Sequence, residues 1–220
     1  MTGWPANRAD LIAEQQRLGD VEVPLWRPSG DVSVGGCFVC FPRGLTGAGA
    51  RGDPAWAAAA LGDEVPVHAG HATAPYEPGL LALREGPLLE AAVRALPRLP
   101  DVLLVNATAR DHPRRAGLAL HLGAVLEVPT IGVTHRPLLA HGEWPADRLG
   151  AHAPLRLEGE VVGAWLRTRP SRRPLAVTPG WGMDLAGSLE VVLAACRART
   201  PEPLRRARTA ARSARAGPSR

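Results

Sequence analysis

The sequence contains no lysine, so all 26 of its basic residues are arginine. It has only three cysteines, an odd number that argues against a disulfide framework and is typical of proteins from the reducing cytosol. No apolar run reaches the roughly 18 residues that a membrane-spanning helix needs. The first ten residues lack a charged segment followed by an apolar stretch, so we expect no secretion signal. These absences together predict a cytoplasmic protein with no membrane association.

What the chain contains fits one folded domain followed by a basic end. Its 220 residues are 45% hydrophobic, which is enough to bury a core. From Arg205 onward there are six arginines and no acid, which leaves 20 arginines against 21 acids, a net charge of −1, in residues 1–204. We therefore predict a single domain over 1–204 and an arginine-rich C-terminal tail over 205–220. The tail is expected to be flexible, and it either remains solvated or contacts phosphate groups.

The hydrophobic pattern predicts an antiparallel meander followed by strands that alternate with helices. Predicted helices cover residues 6–18, 80–96, 115–122 and 184–197, and predicted strands cover 32–41, 56–61, 64–71, 101–106, 130–133, 161–166 and 175–178. Residues 141–160 are predicted to form a loop with a hairpin. The apolar run at 102–105 is typical of a strand buried on both faces. This order indicates an α/β fold with a mixed sheet flanked by helices.

Five segments carry a resemblance to a known family. They are Pro75-Tyr76-Glu77-Pro78-Gly79 followed by Arg84-Glu85, Asp111-His112-Pro113-Arg114-Arg115-Ala116-Gly117, Val128-Pro129-Thr130-Ile131-Gly132-Val133, Thr178-Pro179-Gly180, and Pro201-Glu202-Pro203-Leu204-Arg205. In this order and spacing they resemble the endonuclease V family, a DNA-repair family whose members nick DNA or RNA near deoxyinosine or inosine. The resemblance extends from about residue 13 to about residue 208. It implies a ribonuclease-H-like sheet, the endonuclease V fold.

In that family an Asp on a strand, a Glu on a helix and an Asp on a second strand hold a divalent metal, assisted by a Lys and a His. Clustered carboxylates supply the hard oxygen ligands that Mg²⁺ prefers, and Lys and His stabilise the phosphate or move protons. The resemblance places Glu85 at the helix Glu position, which is kept. It places Phe38, Asn106, His135 and Trp181 at the positions of the first Asp, the second Asp, the Lys and the His.

The position of the first carboxylate depends on the register chosen for the opening strand. Asp31-Val32-Ser33 matches the family's Asp-Val-Ser pattern over a short stretch. The segment 35–41 fits the family's Gly-Gly-Val-Asp-Val-Ser-Tyr form over more positions and lies at a better distance from Tyr76. We prefer this second register, which puts Phe38 where the family has its Asp.

Loss of these ligands predicts loss of metal catalysis. The family site offers about three negative charges to a dication, whereas one carboxylate remains here, so we expect no bound metal and no cofactor. Each ~1.36 kcal/mol of lost transition-state stabilisation slows a reaction tenfold. The leading hypothesis is therefore a catalytically degenerate family member, a pseudoenzyme candidate. It would bind DNA, RNA or a nucleotide-like ligand without cutting it.

The candidate substrate-binding residues lie in the matching segments. They are Tyr76, Pro78, Gly79, His112, Arg114, Arg115 and Gly132. In the family the loop with the tyrosine wedges into the duplex, and here its ring either stacks on a base or packs against the following helix. The basic segment after residue 111 either contacts phosphate or caps a helix. The family's Gly-His-Gly base pocket reads Ala107-Thr108-Ala109 here, whose added Cβ atoms crowd a close approach, so inosine specificity is not expected.

Two alternative functions stay open. An active, divergent nuclease would use Mg²⁺ and would need Asp31 as the strand carboxylate, or a rebuilt metal site around Glu85. Such a site would draw on Asp111, His68, His71, His112 and His135. An interaction protein, or an enzyme of another reaction class, would instead use an apolar cleft around Phe38 and Trp181.

Cys37 and Cys40 have the spacing of a zinc or redox motif. Side chains three residues apart on a strand point to opposite faces of the sheet. The sequence also has no second pair of cysteines at this spacing. We therefore expect core cysteines at both positions.

Overall fold

A mixed sheet and its covering helices form the framework of residues 3–44 and 47–217, which the computed structural model describes. The helices are α1 (Arg8–Asp20), α2 (Leu81–Arg94), α3 (Leu118–Leu126), α4 (Leu185–Ala194) and α5 (Glu202–Ala216). The strands are β1 (Val34–Cys40), β2 (Pro54–Ala60), β3 (Val67–His71), β4 (Val102–Val105), β5 (Thr130–Thr134), β6 (His152–Leu157), β7 (Glu160–Leu166) and β8 (Leu175–Pro179). Their order across the sheet is β3-β2-β1-β4-β5-β8-β7-β6. No helix in the described ranges is long and apolar enough to cross a membrane.

The connections of the sheet bring three strand ends to one side. β1 runs parallel to β4, and β4 runs parallel to β5, whereas β2, β3 and β8 are antiparallel to their neighbours. The carboxyl ends of parallel strands meet on the same side of a sheet, so the residues after β1, β4 and β5 lie near one another. We call this side the carboxyl edge. Open α/β sheets bind their ligands beyond such an edge.

Side chains alternate between the two faces of the sheet, and each face has its own helices. Cys37, Leu103 and Val105 belong to the core under α1, α2 and α3. Val102 and Leu104 belong to the core under α4. A third core joins β1 and β2 to α5 through the small side chains of Cys40, Ala58, Ala60, Ala207 and Ala211. Helices α2 and α5 therefore cover opposite faces of β1.

Small residues allow α5 to lie directly on the sheet. A Cβ on Gly36 would come within 2.7 Å of the backbone nitrogen of Leu204, and Ala207 and Ala211 are both 0% exposed. The structure therefore corrects the expectation of a flexible tail over 205–220. The chain is helical as far as Ala216 and its alanine stripe is buried, so the boundary at residue 204 falls inside a helix. Residues 218–220 lie outside the described part of the chain.

The remaining predicted elements are present with small shifts, except at the third helix. Helix α3 begins at Leu118 rather than at residue 115, because Arg115 has a left-handed φ of 55° and Gly117 is the N-cap. Part of the hairpin predicted for 141–160 is β6, which pairs with β7. The α/β class and the mixed sheet flanked by helices are confirmed.

Candidate functional site

The carboxyl edge brings Phe38 and Asn106 to the same level of the sheet. Cys37 pairs with Val105 in the register of β1 and β4, so the next residues along these parallel strands, Phe38 and Asn106, are neighbours. The Phe38 ring packs against the core under α5, and the guanidinium carbon of Arg212 lies 5.7 Å from the ring centre. Asn106 is exposed. An aromatic ring, an amide and a guanidinium thus occupy this point.

The pairing of β1 with β4 also separates Asp31 from Phe38 and Asn106. Strand β1 begins at Val34. The Asp101 carboxylate, next to the start of β4, accepts from the backbone nitrogen of Ser33 at 2.8 Å and from its hydroxyl at 2.6 Å. Asp31 and Asn106 therefore lie at opposite ends of the paired strands. The strand carboxylate that an active nuclease needs is not supplied by Asp31.

A group of cations surrounds His135, which follows β5 by one residue. Desolvation lowers the pKa of His135, and the charges of Arg199, Arg208 and Arg173 lower it further. Desolvation also lowers the pKa of Arg208, and Arg212 adds to that effect. Within the described residues, no carboxylate lies within ion-pair distance of these four arginines. We call Arg173, Arg199, Arg208, Arg212 and His135 the arginine cluster.

Glu85 approaches β1 from the opposite face. It lies on α2, and its charge adds to the effect of burial in raising the pKa of Cys37, a member of the core under α2. Burial raises the pKa of Glu85 itself to about 7, against an opposing effect of Arg84. The carboxyl group therefore holds its proton up to about neutral pH. Arg84 donates to the carboxylate of Asp53 at 2.8 Å instead.

A pocket of about 230 Å³ opens between the carboxyl edge and the loop 75–79. Its lining includes Tyr76, Gly79, Asn106, Thr108 and Arg136. Tyr76 is 44% exposed. Its ring is therefore not buried against α2, and of the two interpretations of this tyrosine the geometry favours an exposed stacking surface.

Four residues beside the pocket hold this loop in place. Gly79 has a φ of 77°, which favours glycine. Its carbonyl accepts from Gln15 Nε2 at 3.1 Å, His112 Nε2 at 2.9 Å and Arg114 Nη2 at 3.0 Å. His112 Nδ1 accepts from the backbone nitrogen of Arg114 at 3.2 Å, so the neutral imidazole uses both nitrogens, and burial is the main cause that lowers its pKa to about 4. We call Gln15, Gly79, His112 and Arg114 the loop cluster.

Asp111 and Arg115 are engaged in structural contacts. Asp111 is 0% exposed, and its carboxylate accepts from the backbone nitrogens of residues 138–140 at 2.5–2.9 Å. Arg115 pairs with Glu158 at 3.1 Å and with Glu160 at 3.2 Å. The basic segment that was a candidate for phosphate contacts thus connects the loops around the pocket to one another.

Gly132 and Trp181 do not line the pocket. A Cβ on Gly132 would come within 2.5 Å of the carbonyl oxygen of Ala107, so the glycine lets that loop pack on β5. Trp181 forms two hydrogen bonds with Thr130. Its carbonyl oxygen accepts from the backbone nitrogen of Thr130 at 3.0 Å, and its backbone nitrogen donates to the Thr130 hydroxyl at 3.0 Å. This is the amino end of β5, away from the carboxyl edge. The structure therefore does not bring Trp181 and Phe38 together in one apolar cleft.

The histidines and cysteines do not assemble a replacement metal site. In the ranges 3–44 and 47–217, no three His, Cys, Asp or Glu side chains are placed to hold a metal ion. His68 and His71 lie on β3, the outermost strand of the sheet. Cys37 is buried under α2 and Cys40 under α5, and both thiols are free. The expectation of two core cysteines on opposite faces is confirmed.

The family model of endonuclease V matches residues 60–209, which is more than half of the 220-residue chain. The chain belongs to the endonuclease V family. Endonuclease V of Methanopyrus kandleri is 47% identical over 141 residues, which cover 63% of this chain and 60% of the relative. Endonuclease V of Azotobacter vinelandii is 46% identical over 133 residues, 60% of each chain. The match therefore spans about 60% of the length of these relatives.

Solved structures of endonuclease V share the fold over nearly the whole chain. That of Streptomyces avermitilis is 34% identical with a TM-score of 0.82, covering 96% of this chain and 94% of the other. The catalytic domain of human endonuclease V is 30% identical with a TM-score of 0.79, covering 92% and 93%. The endonuclease V fold that the motifs implied is confirmed.

The residues at the carboxyl edge do not fit the divalent metal that the resemblance to endonuclease V implies. Mg²⁺ takes oxygen ligands in near-octahedral geometry. Phe38 offers none, Asn106 offers one neutral oxygen, and the charge beside Phe38 is that of Arg212. Glu85 lies on the helix that covers the other face of β1.

Sequence reasoning did not place the arginines of α5 at the carboxyl edge, because the basic end was expected to be a flexible tail. The usable signal was periodicity. Leu204, Ala207 and Ala211 recur at intervals of three and four residues, as do Arg205, Arg208, Arg212 and Arg215. Two such stripes indicate an amphipathic helix with one buried side and one basic side.

Proposed function

We propose that this member of the endonuclease V family binds a nucleic-acid strand at the carboxyl edge without cleaving it by metal-dependent hydrolysis. The observation that carries the proposal is the register of β1 and β4, in which Phe38 lies beside Asn106. The resemblance places the family's two strand carboxylates at these positions. DNA and RNA are both candidate ligands.

Three features support the loss of cleavage. Two of the three carboxylates are replaced, and the third, Glu85, is protonated up to about pH 7. The arginine cluster adds positive charge where a dication would have to bind. Losing the metal would remove several kcal/mol of transition-state stabilisation, so we expect hydrolysis to fall by at least about a thousandfold.

Binding is supported by the side of the site that keeps the family's motifs. The pocket of about 230 Å³ is smaller than the roughly 300–1,000 Å³ of drug-sized sites, so it suits a single ring-sized group such as a base. Tyr76 exposes its ring at this pocket, where an aromatic side chain can stack on a base. Arg136 adds a positive charge to the lining.

Two measurements on the same protein test the proposal. End-labelled DNA and RNA, with and without one inosine, are incubated with Mg²⁺ or Mn²⁺ beside the Glu85→Ala variant, and we expect no nick above that control. Fluorescence anisotropy with the same oligonucleotides should give binding that weakens steeply with salt. A nick that disappears in Glu85→Ala would overturn the loss of cleavage. Absence of binding up to high micromolar protein would overturn the binding.

A further inference from the structure

The arginine cluster carries positive charge without a counter-charge. Desolvation lowers the pKa of Arg199, and Arg173 and Arg208 add to that effect. Like charges held close together and partly removed from water are unfavourable unless an opposite charge compensates them. The described residues supply no carboxylate within ion-pair distance. An anionic ligand would provide the compensating charge.

The fold holds these cations in position. Arg199 donates from Nε to the carbonyl oxygen of Arg173 at 2.7 Å and from Nη2 to that of Pro174 at 3.3 Å. Arg208 and Arg212 extend from α5, whose buried alanines pack against β1 and β2. The cluster therefore joins a fixed helix to the segment before β8, and both are anchored independently of any ligand.

Two other arginines of the same helix are already neutralised. Arg205 pairs with Glu202 at 2.5 Å, and Arg206 pairs with Asp63 at 3.3 Å. Arg208 and Arg212 have no such carboxylate among the described residues. The uncompensated charge on α5 thus includes that of Arg208 and Arg212, which lie near His135 and Phe38 respectively.

We propose that the arginine cluster binds a phosphate group directly, so that guanidinium groups take the place of a metal ion at the carboxyl edge. Arginine suits this role because its planar fork of N–H donors matches phosphate oxygens and its charge is permanent. Phe38, which supplies no metal ligand, supports Arg212 through its ring face. The inference rests on the proposed function, because the phosphodiester backbone of a nucleic acid is the phosphate source that we favour.

The test compares two double variants that remove the same charge from the same helix. Arg208→Ala with Arg212→Ala removes cluster arginines, and Arg205→Ala with Arg206→Ala removes paired ones. Anisotropy with a fluorescent single-stranded oligonucleotide should show at least about tenfold weaker binding for the first variant, and a salt slope smaller by about 1.4 for two lost phosphate contacts. The second variant should bind within about twofold of the unaltered protein, since Glu202 and Asp63 already compensate the charges of Arg205 and Arg206.

A small probe separates the site from the nucleic acid. Inorganic pyrophosphate should raise the unfolding temperature of the unaltered protein and of the Arg205/Arg206 variant, and should not raise that of the Arg208/Arg212 variant. Circular dichroism confirms that each variant is folded. Single Arg212→Gln, at an exposed position, provides a milder change if the double variant does not fold.

The outcomes distinguish the two proposals. If both double variants weaken oligonucleotide binding equally, or if neither weakens it, the phosphate site is overturned and nucleic-acid binding stands. A pyrophosphate effect that depends on Arg208 and Arg212, without oligonucleotide binding, would support the phosphate site and overturn the proposed function. No response to either probe would overturn both.

Discussion

The loop cluster and the arginine cluster differ in how their polar groups are satisfied. In the loop cluster, one carbonyl, that of Gly79, accepts from three side chains, and the His112 ring uses both nitrogens. In the arginine cluster, burial and neighbouring positive charges lower the pKa values of His135, Arg199 and Arg208, and no carboxylate among the described residues pairs with the four arginines. One cluster is complete within the chain, whereas the other lacks a compensating charge among the described residues.

This difference separates the residues that stabilise the structure from those that we expect to bind a ligand. A closed hydrogen-bond network gains nothing from a ligand and loses stability when one member is removed. A group of like charges destabilises the free protein and gains from a bound anion. Substitutions in the first cluster should therefore reduce stability, and substitutions in the second should reduce binding.

The largest expected loss follows Asp111→Ala, next to the loop cluster. The buried carboxylate accepts from three backbone nitrogens of residues 138–140, which would lose their partner. We expect the free energy of unfolding to fall by about 3–5 kcal/mol, as for other buried charged groups with several partners. Urea unfolding at pH 7 measures it, and Asp111→Asn, which keeps one acceptor oxygen, should lose about half as much.

The alternative for Asp111 is a relocated metal ligand, and the same variants test it. A metal ligand would lose metal-dependent cleavage on conversion to Asn while stability stayed within about 0.5 kcal/mol, the usual range for substitutions without a structural role. That result would contradict the structural role given to the kept motif.

A smaller effect of opposite sign on the free energy of unfolding is expected when Glu85, the one kept carboxylate, is changed to Gln. Its folded pKa is about 7 against an ordinary value of 4.5, so between these values the folded state binds more protons than the unfolded state. The stability contributed by this group is present below about pH 4.5 and is lost as pH rises through about 7. Glu85→Gln should therefore be more stable than the unaltered protein at pH 8, by about 1–3 kcal/mol.

Thermal unfolding of Glu85→Gln and of the unaltered protein at pH 5 and pH 8 tests this expected gain in stability. The advantage of Glu85→Gln should shrink towards pH 5, because the unaltered side chain is then mostly protonated in the folded state. The Glu22→Gln change removes an exposed carboxylate and serves as the control. An advantage that is the same at both pH values would show that burial of charge at Glu85 is not its cause.

The direct comparison of the clusters uses one arginine from each. Arg114→Ala removes hydrogen bonds to Gln15 Oε1 at 2.8 Å and to the Gly79 carbonyl, and should cost about 1–2 kcal/mol of stability. Arg208→Ala removes a charge from a like-charged group and should leave stability unchanged or raise it by up to about 0.5 kcal/mol. Urea unfolding measures the free energy of unfolding of both variants. Equal losses of stability in the two variants would contradict the difference between the clusters.

The fold was largely predictable, because local patterns determine it. The apolar run of β4 predicted a strand buried on both faces, and the order of the patterns predicted a mixed sheet flanked by helices. The flexible tail was a wrong expectation, because the charge of α5 was weighed without the period of its alanines. Residues 207 and 211 are small and apolar at helical spacing, a pattern that fits a helix packed on a sheet.

The site was predictable only in part, because the roles of its residues depend on contacts between segments that are distant in sequence. His112, Arg114 and Arg115 have the same sequence pattern whether they face phosphate or another loop. Their partners at Gly79 and Glu158 are known only once the chain is folded. The same holds for Arg208, which meets His135 only because α5 packs back across β1.

A comparably small effect on stability is expected for Tyr76→Ala, in the loop that the loop cluster holds. The ring is 44% exposed, so its loss should change the free energy of unfolding by less than about 0.5 kcal/mol. If the ring stacks on a base, oligonucleotide binding should weaken by about 1 kcal/mol, or roughly fivefold, and Tyr76→Phe should bind like the unaltered protein. Anisotropy and urea unfolding on the same samples separate the two readouts. A variant that binds normally but unfolds more easily would mean that the ring supports the loop, and the binding surface would then contract to the arginine cluster alone.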